Sequence, residues 1–205
     1  MARVKLYDKN GSPNSRGVGL FAQAFMEHFP LLPVEEDGRL NDLRLRENFI
    51  EILFTLKRWR ESIAAGKTLG VLVDFHTRHK LLILSHSPEI YRQMGKLVAG
   101  QLGLETNETY TQYMALLMKG LRMRTTTRKH VNVLQHVLGY FKKQLDADEK
   151  QEVLQIIADY RAGLIPLIVP VTLLNHFVRK YDQPYLRQQV YLNPHPLELQ
   201  LRNHV

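Results

Sequence analysis

The stretch "DFHTRHKLLILSHS", residues 74 to 87, sets three imidazoles among aliphatic side chains, with Arg78 and Lys80 beside them. An imidazole can ligate a metal, move protons near neutral pH, or sit in a core with its nitrogens hydrogen-bonded. At about 100° per residue, a helix would carry His76, His79 and His86 within roughly 80° of one another. Phe75, Leu82 and Ile83 share that sector, while Arg78 and Ser85 face away from it. A zinc site would want a fourth ligand and is poorly served by Arg78 and Lys80 as neighbours, so no metal ligand is assigned. Two readings stay open. Core histidines satisfied by backbone, tyrosine or asparagine groups come first. Histidines lining a cleft, where they bind RNA or shuttle protons, come second.

A second constellation is "RMRTTTRKHVNVLQHVLGYFKK", residues 122 to 143. Threonines 125 to 127 can cap a helix whose apolar stripe is His130, Val133, Leu134, Val137 and Phe141. Its other face would present Arg128, Lys129, Asn132, His136 and Lys143, with Tyr140 at the edge. Arg128 and Lys129 fall in the first turn, where a cation opposes the helix dipole at a cost of about a few tenths of a kcal/mol. Cations beside free N–H groups build an anion site, and phosphate is the natural guest.

The charge distribution points the same way. The chain has 205 residues and a formal net charge of +8, yet no aspartate or glutamate lies between Thr109 and Leu145. That window holds Lys119, Arg122, Arg124, Arg128, Lys129, Lys142 and Lys143. A concentrated basic segment in a neutral background suits a polyanionic partner; its plain alternative is a solvated basic face. There is no cysteine, which excludes disulfides, a cysteine nucleophile and any thiolate-held zinc or iron–sulfur cluster in this chain. There is no Walker lysine pattern, no G-x-S-x-G and no H-E-x-x-H. Gly17 and Gly19 ahead of a helix are a weak phosphate-loop signal. Glu35 and Glu36 would point to opposite faces of a strand and make a poor acid–base pair.

Residues 1 to 40 read as one βαβ unit: a strand at "RVKLY", a helix at "VGLFAQAFMEHF" and a second strand at "LLPVEE". Two strands alone leave open edges that invite pairing, so a homodimer through this segment is one expectation. From residue 41 the pattern is helical, with Thr68, Ser87 and Asp146 as caps, Gly163 as a stop, and an irregular tail from "NPHPLELQLRN". The expected fold is mainly α: a bundle of six or seven helices, residues 41–205, with a small N-terminal βαβ appendage, residues 1–40. The longest apolar run, "GLIPLIVPVTLL", is short and twice broken by proline, and the first residues have no apolar signal core. The protein is therefore expected in the cytoplasm, without membrane contact.

The segments "FHTRHKLLILSHSPEIYRQMGKLVAG", "HVNVLQHVLGYFKKQL", "YRAGLIPLIVPVTLLNHFVRKY" and "YLNPHPLELQLRN" resemble the YbgA-like family of helical domains over about residues 45 to 203. Residues 1 to about 60 look like the closing portion of a TudS-type thiouracil desulfidase domain, to which YbgA-like domains are often fused. The resemblance implies removal of sulfur from 4-thiouridine in transfer RNA, with an iron–sulfur cluster on cysteines of the α/β part and RNA held by the helical part. The family's ligand cysteines would precede Arg3, and none is present, so no ligand carries over to this chain. The chain is expected to be a shortened relative or a truncated product without desulfidase activity of its own. Its expected partner is RNA, in particular transfer RNA, held by Arg78, Lys80, Arg122, Arg124, Arg128, Lys129, Asn132, His136 and Lys143. The rival enzymatic reading would use a cleft of His76, His79, His136 and Tyr140.

Overall fold

The computed structural model describes residues 24–29, 31–35, 37–64, 66–100 and 102–203. Among these, residues 24–28 are helical, Asp37–Asn41 form a 3-10 turn, and nine α-helices follow. They are α1 Leu43–Ile63, α2 Leu69–His86, α3 Pro88–Val98, α4 Thr106–Leu121 and α5 Thr127–Gly139. Next come α6 Ala147–Arg161, α7 Ile168–Lys180, α8 Pro184–Arg187 and α9 Pro196–Asn203.

The starts of the helices are written locally. Asp42 accepts from the backbone of Arg44 at 2.9 Å, Thr68 from Val71 at 3.2 Å, and Ser87 from Ile90 at 3.2 Å. Thr126 takes the Lys129 amide at 3.3 Å, and Asp146 and Glu149 cap each other reciprocally. Each side chain satisfies a donor that the helix itself leaves unpaired. Gly163, at φ 78°, ends α6 in the left-handed region that a glycine adopts without strain.

Two apolar clusters share α2. Phe75, Leu82 and Ile83 face a cluster with Trp59 of α1, Met94 of α3 and Tyr113 and Leu117 of α4. Leu81 and Leu84 face a second cluster with Leu134 and Val137 of α5, Phe141, Ile157 of α6 and Leu174 and Phe177 of α7. A helix buried on both sides has no solvated face over its last turns, and residues 81 to 86 are all buried. In the first cluster Trp59 lies flat on Tyr113 at 5.3 Å and edge-on to Phe75 at 5.0 Å. Gly120 lets α3 and α4 close: a Cβ there would stand 3.0 Å from Ile90 Cγ2.

Four expectations are corrected. No strand occurs among the described residues; "LLPVEE" is a turn and a bend followed by irregular chain over 31–35, so no βαβ unit is supported. The expected strand at "RVKLY" lies outside the described residues. There are also more helices than six or seven. The tail is not irregular, because Pro196 opens α9 and Glu198 anchors that helix to Arg58 of α1 at 2.8 Å. That contact is long-range, and no local pattern announces it. Finally, α5 stops at Gly139, and 140–144 turn away so that Phe141 enters the second cluster.

Candidate nucleic-acid interface

The histidines of α2 are core residues, at 2%, 1% and 0% exposure for His76, His79 and His86. His79 Nδ1 donates to the Phe75 carbonyl at 2.7 Å, which leaves Nε2 to accept from Arg58 Nε at 3.2 Å. Arg58 in turn donates to Glu198 Oε2 at 2.8 Å. Burial, opposed in part by the bond to Phe75 and reinforced by Arg58 and Arg78, holds the His79 pKa down to about 3. His86 Nδ1 donates to the Met123 carbonyl at 2.8 Å, and its Nε2 lies 3.2 Å from Glu51 Oε2. His76 Nδ1 meets the buried Tyr113 hydroxyl at 3.2 Å. Burial first, then the Lys80 charge, lowers the His76 pKa to about 4.

The exposed side of α5 is different. Arg128, Asn132 and His136 follow one another at four-residue spacing and are all exposed, and Tyr140 continues the line at 39% exposure. At 1.5 Å per residue this row is about 18 Å long. Lys119, Arg122 and Arg124 are exposed at its N-terminal end, and Lys142 and Lys143 at the other. Among the described residues, Lys119, Arg124, Arg128, Lys142 and Lys143 form no ion pair. These five cations of the acid-free window thus stay without ion pairs after folding.

Three expected members sit elsewhere. Lys129 turns inward: its ammonium donates to the His86 carbonyl at 2.6 Å and the Arg124 carbonyl at 2.7 Å. The C-terminus of α2 leaves carbonyls without amide partners, and a neighbouring ammonium satisfies them. Burial lowers the Lys129 pKa. Arg78 is held in an ion pair with Asp74 on its own helix. Lys80 is half-buried and lines a cleft of about 330 Å³ between α2 and α3. The four catalytic candidates do not converge: His76 and His79 are fixed in the core, and only His136 and Tyr140 touch, edge-on at 5.7 Å.

Tertiary structure adds residues that the sequence reading passed over. Tyr140 stacks on Tyr185 of α8 at 5.3 Å. Tyr91 of α3 borders the α2–α3 cleft, and burial followed by the proximity of Tyr140 raises its pKa. Burial, then Tyr140 and Tyr91, push Tyr185 up in the same way. Tyr140 and Tyr185 thus stack at the end of the α5 row, and Tyr91, on the cleft, lies near enough to feel Tyr140. Their only sequence signal was aromatic residues beside cations, as in Tyr91–Arg92. Another cleft, about 430 Å³, lies between α1, α7 and the tail, with Glu51, Glu198, Asn175 and Tyr191 among its walls. Among the described residues no group of histidine and carboxylate side chains has the geometry to hold a metal. None of their helices is long and apolar enough to cross a membrane.

Residues 80–196 match the family described as "Protein of unknown function (DUF1722)". This chain belongs to the DUF1722 family. It is also 32% identical over 165 residues to "Uncharacterized protein YbgA" of Escherichia coli (strain K12), covering 80% of this chain and 98% of that protein. No solved structure matches. The match makes the helical region a YbgA-like DUF1722 domain, and the matched residues include the α5 row, Tyr91 and Tyr185.

Proposed function

We propose that this DUF1722 domain binds structured RNA along the exposed side of α5. One observation carries the reading: cations without ion pairs flank both ends of a helix face whose middle offers Asn132, His136 and the Tyr140–Tyr185 stack. Guanidinium and ammonium groups hold phosphates and set register, and amide, imidazole and phenol groups meet ribose or unstacked bases. A polyanion lying on this side of α5 relieves the repulsion among the flanking cations.

The RNA is transfer RNA in this reading, and the domain serves a 4-thiouridine desulfidase. Support comes from the likeness of residues 1 to about 60 to a thiouracil desulfidase domain. The absence of cysteine leaves the chain without thiolate ligands for that enzyme's iron–sulfur cluster, so it presents RNA and does not itself remove sulfur. Iron and sulfide analysis, with turnover on thiolated transfer RNA, tests this second part; a bound cluster together with turnover overturns it.

The RNA-binding part is tested by gel shift over a salt series. Affinity is expected to fall steeply with salt, by roughly 0.7 to 0.9 in log–log slope for each phosphate contacted. Arg124→Glu with Arg128→Glu should lower that slope by about two and weaken binding at every salt concentration. Equal affinity for parent and variant would remove α5 from the interface.

A further inference from the structure

The α2–α3 cleft holds a polar atom that folding leaves without a partner. His76 lines this cleft, yet its Nε2 makes no hydrogen bond among the described residues although the side chain is 2% exposed. The bond between the Tyr113 hydroxyl and His76 Nδ1 runs in either direction according to the tautomer; where the hydroxyl, which has no other partner among the described residues, donates it, Nδ1 is the acceptor. The neutral ring then carries its own hydrogen on Nε2, as an unused donor. A buried donor left unpaired is unfavourable, and an acceptor entering the cleft would relieve that.

The surroundings select the charge of that acceptor. Lys80 and Arg92 line the same cleft, with the Thr77 and Tyr91 hydroxyls, and no lining residue is acidic. Neither Lys80 nor Arg92 forms an ion pair among the described residues. Gly95 lies inside α3, where glycine weakens a helix relative to alanine. No packing demands it, since an added Cβ would meet nothing within 4 Å, and Gly95 too lines the cleft. A glycine kept where a side chain would project into a cleft is suited to close approach of a ligand.

We propose that the α2–α3 cleft is a phosphate-binding site in which His76, Lys80 and Arg92 donate to the phosphate oxygens and Gly95 keeps the entrance open. Its volume, about 330 Å³, exceeds a bare phosphate and leaves room for an attached sugar. The site stands on the cleft's own geometry; only the carrier of the phosphate, RNA, rests on the reading of α5.

The test follows the His76 Nε2–H signal by NMR while inorganic phosphate, 5′-AMP, and oligoribonucleotides with and without a 5′-phosphate are added at constant ionic strength. Inorganic phosphate should shift the signal saturably, and chloride should not. Gly95→Leu suits a helix and fills the cleft, so it should abolish the shift while leaving the circular dichroism helical. Lys80→Gln and Arg92→Gln should each weaken phosphate binding about tenfold. A shift from both oligonucleotides assigns the phosphate to the RNA backbone, and from the phosphorylated one alone, to an RNA end. A shift from phosphate and 5′-AMP but from neither oligonucleotide assigns it to a free nucleotide. No saturable shift with phosphate, or a Gly95→Leu protein that titrates like the parent, overturns the proposal. The Arg124→Glu, Arg128→Glu protein should retain the phosphate shift, so failure of the α5 reading is told apart from failure of the cleft.

Discussion

Helices α2 and α5 both carry histidines beside cations, and they use them in opposite ways. On α2 the imidazoles are dry: His79 is wedged between the Phe75 carbonyl and Arg58, His86 lies against Glu51, and His76 is bonded to Tyr113. On α5 the division runs within a single helix. His130 turns inward to the Tyr191 hydroxyl at 2.9 Å, whereas His136 stays in solvent against Tyr140. Residue type was alike in the two places, but the α2 histidines share one sector whereas His130 and His136 fall on opposite faces. Packing differs: α2 is enclosed by two apolar clusters and α5 by one. Burial holds His76 and His79 neutral as structural groups, and an imidazole that is left wet remains available to a ligand.

The contrast can be broken most severely at Arg58. Arg58→Ala removes the guanidinium that bridges His79 and Glu198, leaving a carboxylate at 1% exposure without it. Urea unfolding should show a loss of about 3 to 5 kcal/mol. A loss below about 1 kcal/mol would mean that the bridge does not secure the tail.

Acid comes next. The folded pKa values, about 4 for His76 and about 3 for His79, lie below the value of 6.5 for an unhindered imidazole. The unfolded chain therefore binds more protons in this window, and stability rises with pH. The contribution is complete above about pH 6.5 and is lost as pH falls toward the folded values, amounting to about 2 kcal/mol per histidine by pH 5. Urea midpoints at pH 7 and pH 5 check this.

A smaller effect is expected at the start of α5. Thr126→Ala removes the cap on the Lys129 amide and should lower stability by about 1 kcal/mol in thermal melts. Smallest in stability is His136→Ala, which should stay within about 0.5 kcal/mol of the parent. It should nevertheless weaken RNA binding by about 1 kcal/mol in the gel shift. If His136→Ala destabilised the protein as much as the cap variant, the division between dry and wet histidines would be lost.

Much of this was legible residue by residue. Thr68, Ser87, Thr126 and Asp146 cap the helices they were expected to cap, because a cap needs only an oxygen and an amide three residues on. The apolar stripe of α5 faces the core as its periodicity required. The expected second strand failed because β-propensity is realised only against a partner strand, and 31–35 have none among the described residues. Helix α9 escaped notice because its anchor, Arg58, is 140 residues away. Lys129 was misplaced because its carbonyl partners are two, one near in sequence and one at the end of α2.

By itself the sequence determined the helical periods, their caps, the membership of the core and the stretch of chain from which negative charge is missing. These are properties of neighbours within a turn or two, where backbone geometry alone decides what faces what. Only the tertiary structure decided that Arg128 is wet while Lys129 is spent on carbonyls, that Tyr140 and Tyr185 stack, and that His76 keeps an unpartnered ring nitrogen beside Lys80, Arg92 and Gly95. Those outcomes depend on which helix packs where, and close packing couples residues that the chain keeps far apart.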